Sequence, residues 1–442
     1  MRSLRYKPVF SKILIANRGE IAVRIIRSCK EMGISTVAVY SKADAESLHV
    51  ALADQSYCIG ESSPADSYLN GARILSAALL SGAQAIHPGY GFLSENAQFA
   101  AMCLENGIAF IGPTAANMEK LSDKERLKTI MARTGLPVIP GSPILPTPEE
   151  ARRAAEVIGY PVMLKARSGG GGRGIRLVNR EEDLESAFHA ATAEGQAAFG
   201  DGAVYMEKYI FPARHIEVQI MADEAGNVVC LGERDCSIQR NHQKLIEESP
   251  SPAVTQALRD DMAKEVTKAV KSVGYQGLGT LEFLMDSQGN YYFMEMNLRL
   301  QVEHTVTESL TGIDLVKWQI RIASGIPLNF TQDDVPFVGS SIECRINAKA
   351  PGKVEFLHIP GGPFVRFDTY LAVGSTISPV YDPLMGKLIV YAGTREEALR
   401  KMQAALCELV LHGVANNIAE QLDIISDNRF QTGSYGLDFF SQ

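Results

Sequence analysis

Residues 294–304 read Met-Glu-Met-Asn-Leu-Arg-Leu-Gln-Val-Glu-His, an alternation of apolar and polar residues that runs through Glu303. Glu295, Asn297, Arg299, Gln301 and Glu303 take the odd positions; Met294, Met296, Leu298, Leu300 and Val302 take the even ones. Successive side chains of an extended strand point to opposite faces, so the pattern predicts one apolar face and one face of five polar groups. An edge strand with a solvated outer face has the same signature. The segment upstream favours a functional face. Residues 280–286 (Thr-Leu-Glu-Phe-Leu-Met-Asp) and 291–297 (Tyr-Tyr-Phe-Met-Glu-Met-Asn) read as two strands around Ser-Gln-Gly-Asn. A two-residue turn at Gln288-Gly289 sets Glu282 opposite Glu295, with Asn297 two residues along on the same face. Like charges directly opposed on a sheet need compensation. Two carboxylates and an amide oxygen are hard donors suited to magnesium held together with substrate phosphates, so a metal site is expected.

The chain has 442 residues, more than one simple core accommodates, and about two to four subdomains are expected. It is 46% apolar and 21% charged, as globular proteins are. No apolar run approaches the roughly 20 residues that span a bilayer, and Met1-Arg-Ser-Leu-Arg-Tyr-Lys-Pro leads into a short strand rather than a signal-peptide core. The net charge of -8 argues against broad nucleic-acid or acidic-membrane binding while permitting a local cationic pocket. Seven scattered cysteines without a Cys-x-x-Cys pair point to reduced, mostly buried thiols and a cytoplasmic location.

From residue 12 to about 112 the pattern alternates strand and helix. Lys12–Ala16 and Thr36–Tyr40 read as buried strands around a helix whose apolar stripe is Ala22, Ile25, Ile26, Cys29 and Met32, ended by Gly33. The first turn, Ala16-Asn-Arg-Gly-Glu20, lacks the Gly-x-Gly-x-x-Gly fingerprint, which disfavours a nicotinamide enzyme. His87-Pro-Gly-Tyr-Gly-Phe-Leu-Ser-Glu95 follows a strand end, where α/β folds place ligand loops; His87 itself reads as a structural turn residue. A helix is expected over 115–134, a proline-rich linker over 137–148 and a helix over 148–158. The strand 161–166, the loop Arg167-Ser-Gly-Gly-Gly-Gly-Arg-Gly174 and the strand 175–178 then form either a phosphate cradle or a flexible hairpin tip. Lys165, within an apolar strand, favours the cradle because a buried ammonium needs an anionic partner. Residues 233–248 hold too many polar groups for a routine loop, helices are expected over 254–273, 308–324 and 395–410, and short strands after about 337.

In order and spacing these motifs resemble biotin carboxylase of the ATP-grasp superfamily. The resemblance runs from Ile-Ala-Asn-Arg-Gly-Glu-Ile-Ala at 15–22 to Tyr-Asp-Pro-Leu-Met-Gly-Lys at 381–387, through Glu-Arg-Asp-Cys-Ser-Ile-Gln-Arg at 233–240 and Ile-Glu-Cys-Arg-Ile-Asn at 342–347. It implies an N-terminal Rossmann-like α/β domain (1–120), a central ATP-grasp fold (121–336) with a mobile lid at about 138–206, and a C-terminal α+β domain (337–442). ATP would activate bicarbonate as carboxyphosphate, and the carboxyl group would pass to N1′ of biotin. Lys124, Lys165 and the Gly171-Gly172 backbone would hold ATP phosphates. Glu207, Lys208 and Ile210 would form the adenine hinge, with His215, His242 and Leu284 also at the nucleotide. Glu282, Glu295 and Asn297 would bind Mg2+ or Mn2+; Lys244, Arg299, Gln301 and the Val302 backbone would bind bicarbonate. Glu303 would deprotonate bicarbonate, and Arg345 would stabilise the biotin enolate.

The chain departs from the family at Leu298 (usually threonine), Thr305 (usually proline), Arg167 (usually small) and Asn241 (usually arginine), and the segment after Asn347 is short. It has no Ala-Met-Lys-Met biotinylation motif and no carboxyltransferase region, so biotin is expected on a separate carrier protein, with a separate carboxyltransferase subunit and a homodimer of this chain. The acceptor is left open among acetyl-CoA (fatty acid biosynthesis), propionyl-CoA, pyruvate and other acids. Another ATP-grasp ligase and a non-catalytic ATP-binding subunit are the alternatives.

Overall fold

A computed structural model describes residues 10–167 and 174–441, so Gly171 and Gly172 lie outside the described residues. The N-terminal part is a five-stranded parallel sheet made of β1 (Lys12–Ile15), β2 (Ser35–Ser41), β3 (Gln55–Gly60), β4 (Ala85–His87) and β5 (Ala109–Phe110), in the order β3-β2-β1-β4-β5. The helix Gly19–Glu31 buries Ile21, Ala22, Ile25, Ile26 and Cys29, and Gly33 leaves it at a φ of +73°. β1 and β4 are parallel neighbours, so the loops after Ile15 and His87 emerge side by side at their carboxyl ends. His87 is buried and accepts the Gly89 N–H at 3.1 Å through Nδ1, the structural role expected of it.

A three-stranded antiparallel sheet joins β6 (Val162–Ala166), β7 (Ile175–Val178) and β8 (Val204–Lys208) in the order β7-β6-β8. Ala151 and Ala155 of the helix Pro148–Ile158 and Leu184 and Ala191 of the helix Leu184–Phe199 close a small core with Val162, Leu164 and Met206.

The main body is an eight-stranded antiparallel sheet. It contains β9 (Ala213–Ala222), β10 (Val228–Arg240), β11 (Gln243–Ser249), β12 (Gly277–Asp286), β13 (Tyr291–Asn297), β14 (Ser340–Asn347), β17 (Val365–Thr369) and β19 (Leu384–Ala392), ordered β13-β12-β9-β10-β11-β14-β19-β17. Two ribbons pair β15 (Gly352–Lys353) with β18 (Thr376–Ile377) and β16 (Phe356–His358) with β20 (Val410–His412). Because β11 pairs directly with β14, hydrogen bonding crosses residue 337 without a break.

Several expectations are corrected. The helix expected over 115–134 is two, Ala115–Leu121 and Lys124–Arg133, because Asp123 accepts the Arg126 N–H at 2.9 Å and starts a new helix. That over 308–324 is His304–Thr311 and Leu315–Ala323, divided where Gly312 takes a φ of +66° and Asp314 caps the second helix. Residues 233–248 form most of the β10–β11 hairpin, and β14 and β19 are long strands. The extended strand of the 294–304 stretch ends at Asn297; residues 298–303 are irregular and lead into the helix His304–Thr311.

Glu282 does oppose Glu295, but by a different route from the one expected. The connection is three residues, Ser287-Gln288-Gly289, with Asp286 N–H bonded to Asn290 O at 2.9 Å. Phe283 pairs with Phe293 and Glu282 with Glu295, so Met294 is an extra residue, a bulge that restores the register the longer turn had shifted.

Candidate active site

A cleft of about 800 Å³ lies between the Asn17–Glu20 and Tyr90–Phe92 loops, one face of the main sheet, and the Tyr381–Leu384 loop. His215, His242, Lys244, Glu282, Glu295, Asn297, Arg299, Gln301, Val302, Glu303 and Arg345 all line it. The catalytic and bicarbonate-facing residues named from sequence, drawn from β11, β14 and the segment after β13, are thus brought together.

Glu303 precedes the helix His304–Thr311 and is 1% exposed. Lys244 Nζ lies 2.6 Å from its Oε1 and Arg345 Nη2 lies 2.9 Å from its Oε2. Burial opposes its charge, but Lys244, Arg345 and Arg234 override it and hold the carboxyl well below the usual range. Glu303 is therefore an ionised carboxylate with both oxygens engaged by cations. Lys244 also reaches Glu217 at 2.7 Å and Glu282 at 3.4 Å. Behind this layer Arg234, fully buried, bonds Glu217 Oε1 at 2.5 Å, Gln219 Oε1 at 2.8 Å and Thr307 Oγ1 at 2.9 Å. A buried guanidinium so fully partnered fixes β9, β10 and the following helix relative to one another.

Glu282 is buried, and it too is held below the ordinary carboxylate range: burial raises it, while Lys244 and His215 lower it further. Asn297 Nδ2 and Gln301 Nε2 donate to its Oε1 at 2.8 and 3.3 Å. Gln239 donates to His215 Nδ1 at 2.8 Å, which puts the imidazole proton on Nε2, 3.2 Å from Glu282 Oε2. Glu295 stands opposite and lines the cleft. Glu282 and Glu295, opposed across the β12–β13 ladder, are hard carboxylate donors of the kind that suits magnesium, while Asn297 turns its amide nitrogen to Glu282 and its oxygen to Arg299.

Arg299 is tethered by Glu95, whose Oε2 accepts from Nε at 2.8 Å while Oε1 accepts the Leu298 N–H at 2.9 Å. Its other nitrogens reach Gln301 Oε1 at 3.0 Å and Asn297 Oδ1 at 3.1 Å. The Val302 carbonyl accepts from Lys387 Nζ at 2.7 Å, and Lys387, fully buried, pairs with Glu20 at 3.1 Å. Two N-terminal motifs and one C-terminal motif thus clamp the irregular 298–303 segment in the absence of a sheet ladder.

Of the nucleotide residues named from the sequence, His215 and His242 line this cleft, whereas Lys165, Glu207 and Lys208 belong to the three-stranded sheet. Lys165 on β6 bonds Glu207 of β8 at 2.5 Å, and Lys128 bonds the other Glu207 oxygen. The anionic partner Lys165 requires is, in this arrangement, a carboxylate of its own sheet. Lys208 Nζ donates to the Gly159 and Tyr160 carbonyls at 2.8 and 3.0 Å. Ile210 follows β8, Leu284 shares the β12 face of Glu282 and pairs with His215, and Lys124 opens the helix Lys124–Arg133. Of the residues without an assigned role in the sequence, Glu95, Arg234 and Lys387 lie in motifs already singled out; Lys128 carries no sequence signal.

Family models match the chain in three consecutive blocks: "Biotin carboxylase, N-terminal domain" over 9–118, "Carbamoyl-phosphate synthase L chain, ATP binding domain" over 123–331, and "Biotin carboxylase C-terminal domain" over 343–442. Biotin carboxylase 1 of Bacillus subtilis is 49% identical over 441 residues, 98% of each chain. The chain belongs to the biotin carboxylase family. A biotin carboxylase of Nostoc sp. is 50% identical over 442 residues, covering 98% of this chain and 99% of its own. The Campylobacter jejuni biotin carboxylase, solved as a β,γ-ATP complex, superposes with a TM-score of 0.92 at 46% identity over 98% of both chains. The biotin carboxylase domain of Hydrogenobacter thermophilus 2-oxoglutarate carboxylase, solved as a dimer with MgADP, ADP and bicarbonate, does so with a TM-score of 0.91 at 49% identity, over 98% of this chain and 97% of its own. The activity is that of a biotin carboxylase, an ATP-dependent carboxylase of the ATP-grasp ligases.

Each departure from the biotin carboxylase pattern has a local structural account. Leu298 is buried in the core beneath β12 and β13 and offers its N–H to Glu95. Asn241 and His242, at φ of +51° and +63°, make the two-residue β10–β11 turn, a conformation asparagine tolerates better than most residues. Arg167 pairs with Asp201 at 2.9 Å, and Thr305 Oγ1 donates to Glu343. The short segment after Asn347 is fastened by Ala348 N–H to Pro383 O at 2.9 Å and Lys349 N–H to Ala415 O at 2.7 Å.

Proposed function

We propose that Glu303 is the base that deprotonates bicarbonate, and the observation that carries this is its ionised carboxylate held between Lys244 at 2.6 Å and Arg345 at 2.9 Å. Bicarbonate sits against Lys244, Arg299, Gln301 and the Val302 backbone, with Arg299 aimed by Glu95. Loss of its proton to Glu303 makes it the nucleophile toward the γ-phosphate of ATP, giving carboxyphosphate and ADP. The bond between the carboxyl group and phosphate then breaks, the phosphate takes the N1′ proton of biotin, and the carboxyl group passes to N1′ while the Arg345 guanidinium stabilises the negative charge gained by the ureido oxygen. Lys124, Lys165 and the Gly171-Gly172 backbone bind the phosphates; Glu207, Lys208, Ile210, His215, His242 and Leu284 bind the rest of the nucleotide. On nucleotide binding Lys165 exchanges Glu207 for phosphate. Glu282, Glu295 and Asn297 hold Mg2+ or Mn2+, which when bound neutralises phosphate charge. The division at 1–120, 121–336 and 337–442, with residues 138–206 closing as a lid that keeps water from carboxyphosphate, belongs to the same reading.

Biotin arrives on a separate carrier protein, a separate carboxyltransferase subunit consumes carboxybiotin, and the enzyme works as a cytoplasmic homodimer. The relatives named as biotin carboxylases support the carrier, and the dimeric Hydrogenobacter thermophilus domain supports the dimer. Among the described residues no helix is long and apolar enough to cross a membrane. The deciding experiment is phosphate release by the purified chain with ATP and magnesium, with and without bicarbonate and free biotin. The expected result needs bicarbonate, rises with biotin and yields carboxybiotin. Turnover indifferent to biotin, with the carrier also supplied, would instead indicate another ATP-grasp ligation.

A further inference from the structure

Beside Arg345, away from the reacting groups, lies a second pair of carboxylates. Glu247 on β11 and Glu343 on β14 are directly opposed across the ladder, and both are completely buried. Residues opposed in an antiparallel pair point to the same face, and Arg345, two residues beyond Glu343, shares it. Arg345 Nε donates to Glu247 Oε1 at 2.6 Å, while Nη2 reaches Glu303 Oε2 at 2.9 Å. On the far side of the pair Thr305 Oγ1 donates to Glu343 Oε2. Glu247 Oε2 and Glu343 Oε1, one on each member, find no donor among the described residues. Buried carboxylate oxygens without donors are costly, and two opposed anions more so.

We propose that Glu247 and Glu343 share one proton and, as a singly charged unit pinned by Thr305, position Arg345 against Glu303. The charged groups facing the unit are Arg345 on β14, Lys387 on β19, Lys244 on β11 and Glu303 before the helix. Lys387 is already engaged by Glu20, and Lys244 by Glu217 and Glu303, so neither neutralises a second full charge on the pair. Burial, against the pull of Lys387, pushes Glu343 up to about 8; burial, against the pull of Arg345, pushes Glu247 up to about 7. The pair titrates as a unit. Losing its proton places a second negative charge beside Arg345 and draws the guanidinium away from Glu303 and from biotin. A proline at 305 would have no hydroxyl to donate, so the pin depends on Thr305.

The kinetic half of this proposal rests on Arg345 being the group that faces biotin; the spectroscopic half does not. Difference infrared spectroscopy of the full chain is expected to show a protonated-carboxyl stretch at neutral pH that Glu343→Gln abolishes. The same chain, assayed with ATP, magnesium, bicarbonate and free biotin, is expected to show biotin KM rising on the alkaline side. Thr305→Val removes a donor to the charged form, so it should move that rise upward by about half a pH unit or more, with Thr305→Ser restoring the wild-type profile. Absence of the carboxyl band overturns the shared proton. A band combined with an alkaline limb that Thr305→Val leaves unmoved overturns the positioning role. Turnover that ignores biotin in the wild type fails the reading of Arg345, while the band still reports on the pair.

Discussion

Glu303 is the point at which the irregular 298–303 segment passes into helix, and its two oxygens divide the work of the site between Lys244 and Arg345. With its pKa held well below the ordinary range, it stays ionised through the acid side of neutrality, so an acid limb in the rate profile has to come from other groups. Glu303→Gln keeps the shape and hydrogen-bonding reach but abolishes basicity; phosphate release with biotin should fall by about a hundredfold or more, with ATP affinity retained in a direct binding titration. Lys165→Met should act in the opposite sense, weakening ATP about tenfold by equilibrium binding while changing the limiting rate less. The polar residues from Glu295 to Glu303 were legible because their alternation is itself a chemical statement. Arg234 and Lys128 were not, since their partners Glu217 and Glu207 come from other elements and only the packed sheet brings them within reach.

Turns and irregular segments set the geometry at the next scale. The β12–β13 register came out as expected only because the three-residue turn and the Met294 bulge cancel, and neither feature has a signal in an alternating pattern. Asn241 at a φ of +51° starts the β10–β11 turn that leads to Lys244; Asn241→Val should cost about 1 kcal/mol of stability by denaturant titration, whereas Asn241→Gly should cost little. The 298–303 segment has no ladder, and Glu95 supplies two of its hydrogen bonds from another part of the chain. Glu95→Ala should therefore raise the bicarbonate KM about tenfold and leave ATP binding alone, as steady-state kinetics and a nucleotide titration would show. Helix breaks at Asp123 and Gly312 were readable in principle, since a capping aspartate and a left-handed glycine both leave a trace; the apolar spacing across each break hid them.

The whole molecule carries buried acids of both kinds. Despite burial, Arg24 and Arg366 hold Glu308 below the usual carboxylate range, and Arg366 brings Asp368 to about 2. The unfolded chain binds protons to these groups first, so their contribution is full above about pH 4 and is lost as pH falls toward about 2. Glu247 and Glu343 have the opposite sign: their folded values lie above the unfolded ones, and stability declines as pH rises from about 4 to about 8. Relative to wild type, the melting temperature of Glu343→Gln should accordingly improve across that interval, which thermal melts at several pH values would follow. The α/β start and the 280–297 hairpin were legible from strand spacing; the union of centre and C-terminal part in one sheet was not, because strand pairing across residue 337 leaves no local pattern. That union has a consequence for synthesis. β11 leaves the ribosome with one edge bare, and the edge is covered only when Ser340–Asn347 follows, itself completed by Leu384–Ala392. A nascent chain paused before residue 340 would leave the β11 edge open as a template for foreign strands.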